Sequence, residues 1–323
     1  MWKLAAVYLC STAVLHVCSM PTVQLRNGVE MPLLAQGTWQ YNETQAEAAV
    51  ASALKVGFRM IDTAYDYHNQ AGVGRAIRNS GLPRSSIFVE TKVPGCGMDP
   101  AVSTKQCHND TKKTLELDLS LLNLTYVDLV ILHFPPHAAF YLRSCHLWVC
   151  QQVQDQWRAM EEFYSAGKAK AIGVSNYCPS CFACLEGKSK VSPMVNQIGY
   201  HIGMGADPSG FRSYADKNGM VLQAYSPLGN TPWRQGANPE VLKGNFTSSL
   251  AQAHKKSTIA VALKWLVQHG VATVTKSSNP VHLAEDLDLW TWNLTDDEMA
   301  AADKFSLMGL PSFACNFETD VLV

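Results

Sequence analysis

The chain has 323 residues and nearly balanced charge, with 26 Lys and Arg against 27 Asp and Glu. Because neither sign dominates, the composition gives no reason to expect a nucleic-acid partner or an anionic membrane surface. Hydrophobic residues make up 47% and charged residues 16%, which is typical of a soluble globular protein long enough to bury a large core.

The N-terminal residues differ in character from the rest of the chain. A short, weakly positive start precedes an apolar run from Leu4 to Cys18. This pattern predicts a secretory signal peptide over residues 1–19, with cleavage just before Met20. A buried helix or a short membrane anchor is the alternative, but a segment needs about 20 apolar residues to span a bilayer. We therefore expect one domain over residues 20–323, with no membrane association after cleavage.

Sequons for N-glycosylation support the secretory route. Five N-x-Ser/Thr patterns occur after the leader, at Asn42, Asn109, Asn123, Asn245 and Asn293. One or two would be unsurprising in a chain of this length, whereas five together with a signal-like start favour a glycoprotein. The chain closes without a KDEL-type retention signal. We expect the protein to be secreted or to reside in the lumen of the secretory pathway.

The cysteines fit an oxidising compartment. Of the ten present, the leader contains two, which leaves an even number. We predict disulfides between the local pairs Cys96 and Cys107, and Cys145 and Cys150. A C-x-x-C-x-x-C run beginning at Cys178 could instead indicate a metal or iron–sulfur site. Such a site needs a fourth ligand, and because none stands at suitable spacing we predict no bound metal.

Apolar runs and helical patterns alternate along the remaining chain. Two short apolar stretches around Asn27-Gly28 predict a β-hairpin. Helical periodicity separates the later runs, and Thr44 with Glu47 predicts a capping box. The segment 111–124 fits a strand or a helix, and its Lys, Glu and Leu content favours the helix. Apolar runs typical of strands buried on both faces lie at 33–37, 58–61, 87–93, 127–132, 169–174, 194–197, 221–225 and 272–275.

This alternation predicts the fold class. Eight strands and their helices over about 250 residues are the usual content of an α/β protein of the (β/α)8 TIM barrel type. An open, doubly wound sheet fits the alternation nearly as well. Such a sheet would carry Gly-x-Gly-x-x-Gly after its first strand to bind a dinucleotide, and the chain has no such motif there.

Polar residues fall where the predicted strands end. Asp62, Lys92 and His133 each end or follow a strand, and Tyr67 lies five residues after Asp62. In a barrel these positions line the carboxyl-terminal mouth, where active sites are found. The same holds for Ser175, Asn176, Gln197, Tyr225, Ser226, Lys276 and Ser277.

The first four of these residues suit the reduction of a carbonyl group. A phenol has an ordinary pKa of about 10, and a neighbouring lysine ammonium would lower it. Asp62 would hold Lys92, and His133 would orient a carbonyl oxygen beside the Tyr67 hydroxyl. The set would then donate a proton to an oxygen that becomes an alkoxide during hydride transfer.

Each residue also has a structural explanation when taken alone. Asp62 and Lys92 could form an ion pair at the barrel rim, and Tyr67 could be an ordinary half-buried tyrosine. His133, which ends an apolar strand, could be a satisfied core histidine. The occurrence of all four at strand ends favours the catalytic interpretation.

Sequence motifs around these residues resemble the aldo-keto reductases. GFRMIDTAYDYHNQAGVG is similar to the first signature of that family and contains Asp62 and Tyr67. FVETKV contains Lys92 and LVILHFPP contains His133, each in the position of a catalytic residue of the family. GKAKAIGVSNY, VNQIGYH, LQAYSPLG and TVTKSSNPVHLAED follow in family order. The resemblance implies a (β/α)8 barrel with a hairpin closing its base, which binds NADPH without a Rossmann domain.

The resemblance also implies roles for further residues. Ser175, Asn176 and Gln197 would hold the nicotinamide carboxamide, and Tyr225 would stack on its ring. Trp39 and Phe134, with His133, would line the substrate pocket. The pyrophosphate, the 2′-phosphate and the adenine would be contacted by Ser226, Leu228, Lys276, Ser277, His282, Glu285 and Asp286.

Two departures from the family pattern concern the phosphate of the cofactor. His282 stands where the family usually has arginine, and Asp286 stands where it usually has asparagine. Arginine grips phosphate as a permanently charged fork, whereas histidine is mostly neutral above pH 7. We therefore predict weaker NADPH binding, with NADH as a possible second cofactor.

Three functions are compatible with the sequence. We favour an NADPH-dependent reductase of a small carbonyl compound, with Tyr67 as proton donor, acting as a monomer. A secreted, non-catalytic barrel that binds a ligand or serves structurally is the main alternative. A glycosidase would need paired carboxylates; Asp62 has no obvious partner, and we expect Glu90 to point away from the immediate neighbours of Lys92. Aromatic residues in the loops 134–150, 230–239 and 307–323 suggest an apolar substrate.

Overall fold

A computed structural model describes residues 20–96, 104–136, 145, 149–229 and 237–307. The predicted signal peptide, 1–19, lies outside these residues. So do most of the aromatic loop residues that suggest an apolar substrate, namely Tyr141, Trp148, Trp233, Phe313 and Phe317.

A short antiparallel hairpin begins the described chain. Strands β1 (Thr22–Gln24) and β2 (Glu30–Pro32) pair, and the turn between them uses Gly28 at a φ of 85°. Its Leu25 and Met31 are buried in one cluster with residues from the beginnings of barrel strands, among them Met60. The hairpin therefore closes the amino-terminal end of the barrel, as the sequence predicts.

Eight parallel strands form a closed barrel in the order β10-β3-β4-β5-β6-β7-β8-β9. This topology confirms the predicted (β/α)8 TIM barrel. Every residue of β5 and of β6 is buried, as expected of parallel strands that are covered on both faces. The strands are β3 (Leu34–Gly37), β4 (Met60–Asp62), β5 (Phe88–Val93), β6 (Leu129–Leu132), β7 (Ile172–Ser175), β8 (Val195–Gly199), β9 (Val221–Tyr225) and β10 (Ala272–Thr275).

Helices surround the barrel. They are α1 (Glu43–Val56), α2 (Gln70–Asn79), α3 (Thr104–Leu122), α4 (Cys150–Ser165), α5 (Pro179–Ala183), α6 (Phe211–Lys217), α7 (Pro239–Lys243), α8 (Asn245–His254), α9 (Thr258–Gln268), α10 (Pro280–Leu287) and α11 (Asp296–Lys304). The ambiguous segment 111–124 belongs mostly to α3. Its Leu115 and Leu119 are buried while Leu117 is 40% exposed, which is the pattern of one helix face. Among the described residues, no helix is long and apolar enough to cross a membrane.

The predicted N-cap residue of α1 is wrong by two positions. Asn42, rather than Thr44, accepts a hydrogen bond from the Gln45 backbone N–H, and the Gln45 side chain accepts one from the Asn42 N–H. Glu47, two residues after Gln45, pairs with Arg75 at 2.9 Å. Both residue pairs have the capping-box spacing, and the chain uses the earlier one.

One of the two predicted disulfides is correct. Cys96 is bonded to Cys107, as expected. The Cys145–Cys150 prediction is wrong, because these residues bond to Cys181 and Cys184 instead. The two partners are separated by three positions in a helical segment and so face the same side. Two disulfides therefore join the region before α4 to the segment that follows β7.

Cys178 is also disulfide-bonded, so the C-x-x-C-x-x-C run serves covalent cross-linking. Within the described ranges, no group of three or more His, Cys, Asp and Glu side chains is placed to hold a metal ion.

Candidate active site

The side chains expected to do chemistry meet at the carboxyl ends of the barrel strands. Asp62 is the last residue of β4, Lys92 lies near the end of β5, and His133 directly follows β6. Tyr67 lies on a short 3-10 turn, Tyr65–Tyr67, between β4 and α2. Parallel pairing of β4 with β5 and of β5 with β6 brings these loop ends together at one mouth.

A buried ion pair forms the base of this site. Lys92 Nζ lies 2.5 Å from Asp62 Oδ2, and it donates a second hydrogen bond of 3.1 Å to the Thr63 carbonyl. Lys92 is 0% exposed and Asp62 is 3% exposed. Burial is the largest single effect and would lower the pKa of Lys92, but the acidic groups around it, Asp62 foremost, together outweigh burial and raise the pKa above its ordinary value. The lysine therefore stays charged throughout the physiological range.

Tyr67 stays protonated. Lys92 Nζ lies 5.3 Å from the centre of the Tyr67 ring. Burial nevertheless raises the pKa of Tyr67 to about 12, and the charge of Lys92 only partly opposes that effect. The expectation that lysine lowers this pKa below its ordinary value is therefore wrong for the protein without substrate. The phenol is held in the form that a proton donor needs.

His133 is oriented by the neighbouring Asp66. Its Nδ1 lies 3.3 Å from Asp66 Oδ2, and its ring stacks on Phe134 at a centroid distance of 4.2 Å. The Tyr67 ring meets it edge-on at 5.9 Å. Burial lowers the pKa of His133 despite the hydrogen bond to Asp66, so the imidazole is neutral at neutral pH. Because an ionised carboxylate only accepts hydrogen bonds, the proton lies on Nδ1.

A fixed set of polar groups continues around the mouth from β7 to β9. Asn176, at a φ of 61°, donates through Nδ2 to the His133 carbonyl at 3.1 Å and to Ser175 Oγ at 3.0 Å. Tyr225 Oη donates to Asn176 Oδ1 at 2.9 Å. Ser175 Oγ donates to the Gln197 carbonyl at 2.8 Å. The four residues expected to face nicotinamide are therefore connected to one another and to the backbone of His133.

Glu90 lies inside the barrel beside these groups, where the sequence analysis does not place it. Its Oε1 accepts from Gln197 Nε2 at 2.7 Å, and the same nitrogen lies 2.9 Å from Asp62 Oδ2. Side chains alternate along a strand, so Glu90 and Lys92 must share a face. That period-2 rule could have found Glu90. The position of Glu90 does not support a glycosidase function, because the carboxyls of Asp62 and Glu90 are buried and cannot flank a sugar.

The residues expected to meet the cofactor phosphates lie around β10 and α10. Lys276 is exposed, and its Nζ donates to the Trp39 carbonyl at 3.1 Å and to Gln40 Oε1 at 3.0 Å. Ser277 Oγ accepts from the Asn279 N–H at 3.1 Å. His282, in the first turn of α10, and Glu285 are exposed. The lysine thus joins the loop after β3 to the loop after β10.

Asp286 is buried, unlike the nearby His282 and Glu285. Its side chain turns inward, where Oδ2 accepts a 3.1 Å hydrogen bond from Thr275 Oγ1. Burial raises the pKa of Asp286 to about 7. The carboxyl is therefore only partly ionised at neutral pH, and it repels a nearby phosphate less than the sequence alone suggests.

Ser226 and Leu228 complete the rim between β9 and α7. Ser226 has a φ of 53°, and its carbonyl accepts from the Gly229 N–H at 2.9 Å. Leu228 accepts from the Asn238 N–H at 2.8 Å through its carbonyl. Both side chains are partly exposed, so they border the mouth without being buried in it.

Comparisons with known proteins agree with this geometry. The profile described as "Aldo/keto reductase family" matches residues 32–306. A 9,11-endoperoxide prostaglandin H2 reductase of Trypanosoma cruzi is 34% identical over 90% of this chain and 93% of its own length. A glyoxal reductase of Bacillus subtilis is 34% identical over 87% of this chain and 91% of its own length. The chain belongs to the aldo/keto reductase family.

Solved structures extend the likeness to three dimensions. A crystal structure of an aldo/keto reductase from Brucella melitensis superposes with a TM-score of 0.76 at 31% identity, covering 89% of this chain and all of that one. An aldose reductase from Schistosoma japonicum gives a TM-score of 0.74 at 26% identity over 89% of this chain. The barrel is therefore that of a carbonyl-reducing oxidoreductase family.

Proposed function

We propose that the protein reduces an aldehyde or ketone to an alcohol, with NADPH as hydride source and Tyr67 as proton donor. The main support is the mouth itself, in which Tyr67, His133 and the buried Asp62–Lys92 pair lie together. The bound nicotinamide would supply the hydride to the carbonyl carbon. Tyr67 would give its proton to the carbonyl oxygen as negative charge develops there, and Lys92 would stabilise the phenolate left behind.

The residues at the mouth fit a nicotinamide cofactor. The interconnected hydroxyl and amide groups of Ser175, Asn176 and Gln197 can recognise a carboxamide, and the Tyr225 ring lies beside them. At the other end, α10 presents its N-terminus beside Ser277, where the helix dipole favours an anion. Lys276 would release the Trp39 loop and turn to the 2′-phosphate. Without an arginine at His282, we propose that NADH is used as well.

His133 would act as a neutral residue. Because Asp66 keeps the proton on Nδ1, Nε2 is the nitrogen left to face the substrate. Proton donation then falls to Tyr67, while His133 and the stacked Phe134 position the carbonyl group. The names of two relatives, a prostaglandin endoperoxide reductase and a glyoxal reductase, show that the fold serves large and small substrates. We propose an uncharged, apolar carbonyl compound, taken up by a monomer.

We also propose that this reductase enters the secretory pathway. Four disulfide-bonded positions surround α5, and all five sequon asparagines are exposed. Disulfides persist in oxidising compartments and are rare in the cytosol. Expression in a eukaryotic cell, followed by mass analysis of the secreted fraction before and after glycosidase treatment, tests the leader and the glycans together. Retention of residues 1–19 would contradict the proposal.

Titration of the purified protein with NADPH, followed by tryptophan fluorescence, tests the catalytic proposal. Saturable quenching should be accompanied by aldehyde turnover, with NADH as a parallel ligand. Tyr67→Phe should keep cofactor binding and lose turnover by about 10²- to 10⁴-fold. A protein that binds neither nucleotide would instead be the non-catalytic secreted barrel.

A further inference from the structure

A second carboxyl is buried beneath the catalytic ion pair and has no assigned part in the reaction. Glu90 is 0% exposed, and it lies on β5 two residues before Lys92. Both of its oxygens are engaged: Oε1 accepts from Gln197 Nε2 at 2.7 Å, and Oε2 accepts from Gln223 Nε2 at 2.8 Å. TIM-barrel interiors are usually filled by branched apolar side chains, so a carboxyl here is unusual.

Charge balance indicates which form this carboxyl takes. Asp62, Glu90 and Lys92 share one buried region, which would hold two negative charges and one positive charge if all were ionised. An unpaired buried charge is strongly unfavourable. Asp62 has Lys92 at 2.5 Å, so the proton resides on Glu90, whose hydroxyl can donate to Asp62. In agreement, burial and then the charge of Asp62 raise the pKa of Glu90 well above its ordinary range.

Glu90 forms a closed ring of hydrogen bonds with two glutamines. Gln197 Nε2 also lies 2.8 Å from Gln223 Oε1, which completes contacts among all three side chains. The same nitrogen lies 2.9 Å from Asp62 Oδ2, so its two hydrogens are shared among three acceptors. The amino end of the Gln197 amide is therefore held in the barrel interior. No described residue donates to its carbonyl oxygen, Gln197 Oε1, which is the end left for a ligand.

We propose that Glu90 is a positioning residue that, as the uncharged acid, fixes the Gln197 amide with its carbonyl oxygen available to a ligand at the mouth. This inference rests on the proposed function, in which Gln197 receives the nicotinamide carboxamide. A carboxamide NH₂ group is a donor, and Gln197 in this orientation offers the matching acceptor. Glu90 thereby couples the buried ion pair to cofactor orientation without touching either reactant.

Two substitutions at Glu90 separate this role from simple filling of space. Glu90→Leu removes both contacts to the glutamines, and we expect cofactor affinity, measured by fluorescence titration, to fall at least about tenfold. Glu90→Gln remains uncharged, keeps an acceptor and supplies N–H donors, so it should restore most of that affinity. The pH profile of kcat/KM for Glu90→Gln should follow that of the unsubstituted protein, because neither side chain ionises.

Infrared spectroscopy tests the protonation state without turnover. The difference spectrum between the unsubstituted protein and Glu90→Gln at pH 7 should contain the C=O band of a protonated carboxyl. A carboxylate band in its place would overturn the neutral-acid assignment.

Gln223→Leu provides the second route should Glu90→Leu not fold. It breaks the ring on the opposite side and leaves both carboxyls in place, so cofactor affinity should fall in the same direction. Unchanged affinity in a folded Glu90→Leu or Gln223→Leu protein would overturn the positioning role. The unsubstituted protein separates the two proposals: if it binds no cofactor, the proposed function fails, whereas if it binds and the variants bind equally well, only the role of Glu90 fails.

Discussion

The two ends of the proposed cofactor site are built differently. At the catalytic end, Asp62, Glu90 and Lys92 are buried, and their contacts run from 2.5 to 3.1 Å. At the phosphate end, Lys276 and His282 are exposed, and in the described part of the chain Lys276 Nζ donates to the loop after β3. The reactive geometry is therefore fixed before any ligand arrives, whereas the phosphate end must rearrange to take one.

Covalent links reinforce the difference. Cys145–Cys181 and Cys150–Cys184 hold the segment after β7, which begins with Asn176, against the start of α4. Helix α10, at the phosphate end, contains no cysteine. Rigidity and burial are concentrated where the proton and hydride would move.

The largest effect should come from breaking the buried ion pair. Lys92→Met leaves Asp62 buried without its cation, and we expect a loss of about 3–5 kcal/mol in the free energy of unfolding. Carbonyl reduction should fall by about 10²- to 10⁴-fold, because Tyr67 loses the charge that stabilises its phenolate. Urea unfolding and steady-state kinetics measure the two effects.

A double substitution is the matched control for that prediction. Asp62→Asn together with Lys92→Met removes both charges, so much of the lost stability should return while activity does not. Equal destabilisation of the single and double variants would mean that packing, rather than the unpaired charge, causes the loss.

Removing one disulfide should have a smaller effect than breaking the ion pair. Replacing both members of one bridge, Cys145→Ser with Cys181→Ser, should cost about 2–3 kcal/mol, since Cys150–Cys184 still closes nearly the same loop. Cofactor titration should then show a weakened nicotinamide end, because the segment bearing Asn176 is less restrained. Unchanged thermal stability of the double variant would show that the remaining bridge alone restrains the segment.

The positions of polar side chains at the barrel mouth could be predicted because they follow a local sequence pattern. A polar residue after an apolar run, as at Asp62 and His133, places a side chain at the barrel mouth once the fold is known. The parallel barrel itself follows from eight alternating units, and the structure confirms it. These features depend on residues close together in the chain.

The wrong predictions concern features that depend on residues distant in the chain. The pairing of Cys145 requires knowing that α5 folds against the start of α4. The raised pKa of Tyr67 reflects a balance between burial and the charge of Lys92. The relative size of these two effects depends on the three-dimensional structure. Glu90 is the exception, since its position two residues before Lys92 already assigns it to the barrel interior.

Asp286 allows the phosphate end to be tested through its pH dependence. Its pKa is raised to about 7 in the folded protein, against an ordinary value of about 4. The folded state then binds more protons than the unfolded state between these values, so stability falls as the pH rises through that window. Asp286→Asn removes the titration and keeps a partner for Thr275.

The variant should therefore match the unsubstituted protein near pH 4 and exceed it by up to about 4 kcal/mol at pH 8. Urea unfolding at the two pH values measures the difference. An equal gain at both values would show that Asp286 is not the titrating group, and that the amide improves packing alone.

The substitution with the smallest predicted effect tests the difference between the two ends most directly, because it would give the phosphate end a permanent charge. His282→Arg places a guanidinium in the first turn of α10, where it can form two hydrogen bonds with a phosphate. We expect NADPH to bind about tenfold more tightly, which corresponds to about 1.4 kcal/mol, and NADH affinity to stay unchanged. The gain should diminish with added salt, because the site is exposed. Equal gains for both nucleotides would mean that position 282 contacts a group other than the 2′-phosphate, and the phosphate end would then lie elsewhere on the mouth.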